Sequence, residues 1–84
     1  MNKKKVLAKV LKAPNNVRFV EMVSLVEAFG FRLSRVSGSH HIFTRPMVPE
    51  LVNLQEVKGQ AKPYQIRQFL RLVERYNLTL GEEE

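Results

Sequence analysis

Hydrophobic and polar positions alternate along the chain in patterns that predict helices at both ends and strands between them. Lys3–Lys12 carries apolar residues at i, i+1, i+4 and i+5, which form one stripe of a short helix with lysines on its other face. A second helix is predicted over about Val17–Phe29, because apolar residues recur there at helical spacing after the breaker Pro14 and the N-cap candidate Asn16. Gly30 follows this helix, at a place where a residue with positive φ is favoured.

The middle of the chain has the period-two pattern of strands. Strands are predicted at Phe31–Val36, His40–Arg45 and Leu51–Gln55. A tight turn at Ser37–Ser39 joins the first two strands into a hairpin, and a polar loop follows the third. Pro63 then stands at the first position of a last helix, where its missing N–H costs nothing, and this helix is predicted to run to about Tyr76.

The order of these elements predicts an α+β fold in one domain, since 84 residues are too few for two separate cores. A short helix, a helix, three antiparallel strands and a helix give a three-stranded sheet with helices on one face. This α-β-β-β-α layout, with a short N-terminal helix added, is that of the double-stranded-RNA-binding domain. We expect a basic extension at residues 1–15, the main domain at 16–80 and an acidic tail at 81–84.

Composition and charge narrow the classes of function. The absence of Cys excludes disulfides, thiolate metal sites and thiol nucleophiles. No apolar run approaches the ~20 residues of a membrane span and no secretory signal is evident, so we expect a cytoplasmic protein without a membrane partner. Fourteen Lys and Arg against eight Glu give a net charge of +6. This excess favours nucleic acid as partner, then an acidic protein or an anionic membrane surface, although a basic surface also confers solubility alone.

The densest chemical cluster is the run Gly38, Ser39, His40 and His41 at the hairpin turn. Imidazole exchanges protons near neutral pH, and RNA cleavage without a metal needs a base for the 2′-OH, a donor for the leaving oxygen and cations for the phosphate. A purely structural histidine in a hairpin is the alternative. Strand parity directs His40 and His41 to opposite faces, which argues against a metal site, and no cofactor is expected.

Cations also cluster near the last helix. Arg67, Arg71 and Arg75 recur at i, i+4 and i+8 and form one ridge, and Lys58 and Lys62 lie just before the helix N-terminus, whose free N–H groups suit a phosphate. The hairpin adds Arg32, Arg35 and Arg45. These residues predict a phosphate-binding surface, and the alternative is a solvated helix face.

Two segments carry a resemblance to a known family. Phe29-Gly30-Phe31-Arg32-Leu33 and Gly38-Ser39-His40-His41-Ile42-Phe43, followed by a proline-containing loop and a Lys-Pro helix start, resemble the HicA family of bacterial toxins, and the similarity covers about residues 17–76. The resemblance implies a small basic toxin of a type II toxin–antitoxin system. It further implies a double-stranded-RNA-binding-like fold, ribonuclease activity on mRNA, and neutralisation by a HicB antitoxin that typically covers the active site.

The resemblance also implies site residues. The family's functional histidine falls on His40, with His41 as the alternate. Apart from the resemblance, the residues themselves lead us to expect RNA contacts at Gly38, Ser39, Lys58, Lys62, Arg67, Arg71 and Arg75. The chain departs from the family in its N-terminal extension and in residues 49–55, which lack the Val-Pro-His-like ending of many members.

Three functions follow from these observations. The leading one is a metal-independent endoribonuclease toxin in which histidine is the general acid/base. A non-catalytic RNA- or DNA-binding module on the same fold is the second. A winged-helix DNA binder is the third, and it is disfavoured because the basic ridge lies on the helix after the hairpin.

Overall fold

A computed structural model of the chain describes residues 3–80, so the acidic tail predicted at 81–84 lies outside the described residues. The elements are α1 (Lys3–Lys12), α2 (Phe19–Ala28), β1 (Arg32–Ser37), β2 (His40–Arg45), β3 (Val48–Val57), β4 (Gln60–Ala61) and α3 (Pro63–Arg75). The strands form one antiparallel sheet in the order β1-β2-β3-β4. The predicted α+β class and the double-stranded-RNA-binding-like layout with an added N-terminal helix are confirmed.

The hydrophobic core lies between one face of the sheet and the helices. Alternate residues of β2 and β3, such as Phe43 and Leu54, are buried on this face. Phe69 of α3 packs edge to face against Phe29 and Phe31, with ring centroids 5.5 and 5.6 Å apart. The burial of these large rings supplies much of the apolar area that stabilises so small a domain.

Helix α1 belongs to the same core. Val6 and Val10 are buried in the cluster that contains the three phenylalanines. Beside this buried stripe, Lys9 Nζ donates to Glu21 Oε1 of α2 at 2.9 Å in an ion pair. Helix α1 is therefore packed against the rest of the domain. Among residues 3–80, no helix has the length and apolar character needed to cross a bilayer.

A short fourth strand corrects the predicted three-stranded sheet. The segment expected to be a polar loop turns tightly at Lys58 and Gly59, whose φ angles of 52° and 80° are both positive. Two positive φ angles suit a two-residue hairpin turn, so Val57 pairs with Gln60 and the chain continues as β4. A glycine after a lysine gave only a weak indication of this turn.

The start of α2 also differs from the sequence-based expectation. The prediction that Asn16 caps this helix is wrong: the helix begins at Phe19 and its N-cap is Arg18, whose N–H donates to Glu21 Oε1 at 3.1 Å. The reason is the pairing of the preceding residues with the β3–β4 hairpin. Ala61 N–H donates to Val17 O at 3.0 Å, which holds the chain extended just before the helix.

Strand β3 is longer than predicted at both ends. A two-residue turn at Pro46 and Met47 replaces the expected loop, and Arg45 pairs with Val48. Pro49 lies inside the strand, where β4 does not reach, because β4 pairs only with the end of β3. A proline is tolerated on such an unpaired edge, since its missing N–H removes no ladder bond there.

Strand β1 is the other outer strand of the sheet. All six of its residues are exposed, and Leu33 and Val36 keep 48% and 52% of their surface. Its pairing with β2 is irregular between Leu33 and Arg35.

Candidate functional site

The two histidines lie on opposite faces of β2, as strand parity predicted. His41 lies on the helix-covered face, where its ring packs edge to face against Phe19 with centroids 4.9 Å apart. Its Nδ1 lies 3.3 Å from the carbonyl oxygen of Ser39. His40 lies on the open face, half-buried, with Nδ1 3.2 Å from Oδ1 of Asn53 on β3. His40 is therefore the histidine that a ligand on the face without helices could contact. His41 packs against Phe19 on the opposite face.

The turn before His40 is open. Gly38 has φ of 61°, and no atom lies within 4 Å of the position that a Cβ would occupy. The glycine is needed there for its backbone conformation alone. Both Gly38 and Ser39 are exposed, so the predicted contact residues at this turn are accessible to a ligand.

Several predicted site residues gather at one end of the sheet. The Gly38–Ser39 turn lies beside the end of β3, since Glu56 N–H approaches Ser39 O at 3.4 Å and His40 pairs with Gln55. The β3–β4 turn with Lys58 follows at the same end.

The N-terminus of α3 is anchored at this end as well. The side chain of Gln65 is buried, and its Oε1 accepts the backbone N–H of Gln55 at 2.8 Å. Lys62 is the N-cap of α3, and its Nζ lies 5.8 Å from the ring centroid of Tyr64. Three cationic features, Lys58, Lys62 and the helix N-terminus, thus lie at the same end of the sheet as His40.

The arginine ridge of α3 divides into two parts. Arg67 and Arg71 are exposed, and neither forms an ion pair with any of the described residues. Arg75 is engaged at the far end of the helix, where its guanidinium donates to Glu50 Oε2 at 2.7 Å. Tyr76 O–H donates to the other oxygen of Glu50 at 2.6 Å. The ridge is therefore available to a ligand at Arg67 and Arg71, whereas Arg75 is held by β3.

In the cluster of Glu50, Arg75 and Tyr76, called the Glu50 cluster below, the pKa values of Glu50 and Tyr76 are shifted. The hydrogen bond from Tyr76, with the nearby Arg75, lowers the pKa of the Glu50 carboxyl below its ordinary value of 4.5. The same hydrogen bond to Glu50 raises the pKa of the Tyr76 hydroxyl above 10.0. Sequence reasoning missed this cluster, since Glu50 and Tyr76 are 26 positions apart.

A groove of about 240 Å³, lined by both polar and apolar residues, runs between β3 and α3. Its polar lining residues are Glu50, Asn53, Gln65, Gln68, Arg71 and Arg75. Asn53 belongs both to the lining of this groove and to the contact with His40. Sequence reasoning missed Asn53, although an asparagine between Val52 and Leu54 in a strand was an available indication.

The hairpin arginines differ in their surroundings. Arg45 Nε donates to Phe29 O at 2.9 Å on the helix side of the sheet, and its guanidinium lies against Gly30. Arg32 and Arg35 are exposed on β1. Arg45 is thus committed to the fold by a hydrogen bond that the sequence did not suggest. Within the described part of the chain, no group of three His, Cys, Asp or Glu residues could hold a metal ion.

Comparison with known proteins gives one match. A family model described as the HicA toxin of bacterial toxin–antitoxin systems matches residues 19–74, which is more than half of the chain. The match begins at the first residue of α2 and ends within α3, so it includes the whole sheet and leaves α1 outside. Searches of curated proteins and of solved structures gave no match.

Proposed function

The chain belongs to the HicA toxin family of bacterial toxin–antitoxin systems, and from this premise we propose that it is a metal-independent endoribonuclease that cleaves mRNA. The observation that carries the proposal is the position of His40. It is half-buried on the open face of the sheet, at the end where Lys58, Lys62 and the N-terminus of α3 lie. Cations that can bind a phosphodiester therefore lie at the same end of the sheet as the imidazole.

The proposed reaction needs a proton acceptor, a proton donor and a cationic surface. His40 removes the proton of the 2′-OH, the 2′-oxygen attacks the adjacent phosphorus, and the bond from phosphorus to the 5′-oxygen breaks. The leaving oxygen takes up a proton in the same cycle, and the protonated imidazole is the source of it. Positive charge near the phosphate stabilises the charge that develops on its oxygens. Fourteen Lys and Arg stand against five Glu outside the C-terminal tail, so the surface favours a polyanion.

Substitution of His40 tests this proposal directly. His40→Ala should lower the rate of RNA cleavage by ~10²-fold or more, because general acid–base catalysis contributes about that much, while RNA binding persists. His41→Ala is the matched variant on the other face of β2. It should cost less in rate and more in stability, since the ring packs against Phe19. Equal cleavage by His40→Ala and the wild type would remove His40 from the mechanism, and binding without cleavage by the wild type would favour a non-catalytic RNA-binding module.

We also propose that the partner of this toxin is a HicB-type antitoxin. Membership of the family implies an antitoxin, and the excess of positive charge suits an acidic one. An antitoxin that covers the open face around His40 would exclude RNA from it. Mixing the purified antitoxin with the toxin should therefore suppress RNA binding and cleavage together. An antitoxin that suppresses cleavage while RNA stays bound would contradict this arrangement.

A further inference from the structure

We propose that Asn53 is a positioning residue for His40, which fixes the imidazole tautomer that can act as a base. This inference rests on the proposed role of His40. It starts from the contact between His40 Nδ1 and Asn53 Oδ1 at 3.2 Å. A carbonyl oxygen can only accept a hydrogen bond, so Nδ1 must be the donor and must carry the proton. In the neutral ring Nε2 then carries the lone pair.

The direction of this contact leaves the useful nitrogen free. Nδ1 of His40 faces Asn53 Oδ1. Nε2, the second ring nitrogen, is bonded to the other side of Cε1 and so points away from this contact. A base must present its lone pair within hydrogen-bond reach of the proton that it removes. With Nδ1 occupied by Asn53, Nε2 is the nitrogen that remains to accept the proton of the 2′-OH. In the opposite tautomer Nε2 would carry a proton and could not act as a base.

The scaffold makes the contact specific. Asn53 pairs with Ile42 and His40 pairs with Gln55, so the two side chains are diagonal neighbours on the open face of two hydrogen-bonded strands. Such neighbours are held by the ladder itself, which fixes the distance between them. Asparagine is depleted in strands, and here it interrupts an apolar run at the centre of β3. The residue therefore has a cost in strand propensity, which its contact with His40 offsets.

Gln55 provides a matched control. It stands directly opposite His40 in the register, on the same strand and face as Asn53. A Gln55→Leu variant changes the surroundings of His40 as much as an Asn53→Leu variant does, without removing the acceptor of Nδ1. Asn53→Asp is the conservative variant, since a carboxylate oxygen keeps the acceptor and adds a negative charge.

The test measures the tautomer and the kinetics separately. The ¹⁵N chemical shifts of the His40 ring at about pH 8, assigned by comparison with His41→Ala, should show the proton on Nδ1 in the wild type and in Gln55→Leu. They should show a loss of this preference in Asn53→Leu. The same variant should lower kcat for RNA cleavage by roughly 5- to 10-fold, the worth of one hydrogen bond, with KM unchanged. Asn53→Asp should keep the tautomer and shift the rising limb of the pH–rate profile to higher pH, because the added charge stabilises the protonated imidazole.

The possible failures are distinct. A wild-type His40 with its proton on Nε2 would overturn the assignment, and so would an Asn53→Leu variant with an unchanged tautomer and kcat. An equal loss in Gln55→Leu and Asn53→Leu would reduce Asn53 to a structural residue. If His40→Ala cleaves RNA as fast as the wild type, the proposed function fails and Asn53 loses its catalytic role, even where the ¹⁵N shifts confirm the hydrogen bond.

Discussion

Replacement of Gly30 by alanine tests how the helix-to-strand connection is held. Gly30 has φ of 94°, and a Cβ built there would lie 2.9 Å from Arg45 Nε. The same Nε donates to Phe29 O at 2.9 Å, so the guanidinium cannot move away without loss of this hydrogen bond. The substitution therefore has two costs, one from the backbone conformation and one from the displaced arginine.

The two costs can be estimated separately. A side chain in the left-handed region costs roughly 1–2 kcal/mol, and a hydrogen bond from a charged group is worth about 1.5–3 kcal/mol when it is removed. The smaller entropy of the unfolded alanine chain offsets about 0.4–1 kcal/mol. Gly30→Ala should therefore destabilise the protein by about 2–4 kcal/mol. Gly38→Ala is the matched control, because its φ is also positive and nothing lies within 4 Å of its Cβ position. It should cost only about 1 kcal/mol.

Urea denaturation of four proteins measures the coupling. The wild type, Gly30→Ala, Arg45→Met and the double variant form a cycle, and Gly30→Ala should cost only about 1 kcal/mol where Arg45 is already absent. The coupling energy should thus be about 1–3 kcal/mol. A cost of Gly30→Ala that is the same in both backgrounds, within about 0.5 kcal/mol, would refute the argument that the arginine occupies the space beside the glycine.

Three further predictions concern the ridge, the Glu50 cluster and metals. Arg67→Ala/Arg71→Ala should flatten the slope of log RNA affinity against log salt by about 1.4–1.8, and Arg75→Ala should leave it unchanged; equal slopes in all three proteins would place RNA elsewhere. Glu50→Gln should unfold at a lower urea concentration than the wild type at neutral pH, and at the same concentration in acid. The reason is that the hydrogen bond from Tyr76 lowers the pKa of Glu50. The stability that the carboxylate contributes is therefore lost as the pH falls through that lowered pKa. EDTA should leave cleavage intact, and a strict need for a divalent ion would contradict the metal-free scheme.

The helices and the first hairpin were predictable because each depends on local chemistry. Pro63 begins α3 where its missing N–H is harmless, and β2 has the predicted bounds His40–Arg45. The prediction of a loop before α3 was wrong, because the chain forms the β3–β4 hairpin there. Its turn needs a positive φ at Lys58, and no local preference of lysine predicts that conformation. The predicted N-cap of α2 was wrong because the residues before the helix pair with β4 and are held extended. This contact joins residues that are distant in sequence.

The candidate site was predictable as a set of residue types and less so as an arrangement. Strand parity alone separated His40 from His41, and the structure gives each a different partner. Asn53 and Glu50 were missed because their partners come from other elements, 13 and 25 positions away in sequence. Helical spacing grouped Arg75 with the rest of the ridge, and only the packing of α3 against β3 reveals that a carboxylate holds it.

The exposed outer strand β1 has a consequence for how copies of the protein meet in solution. Among residues 3–80 no strand pairs with its outer edge, and such free edges promote association between chains. Two copies that paired through β1 would bring their Arg32 and Arg35 side chains together, four positive charges along a two-stranded contact. The shift in register around Ser34 also makes this edge less flat, which disfavours pairing with another strand. The positive charges of β1 therefore oppose pairing between two copies of this protein. They do not oppose the addition of an acidic strand from another protein to the same edge.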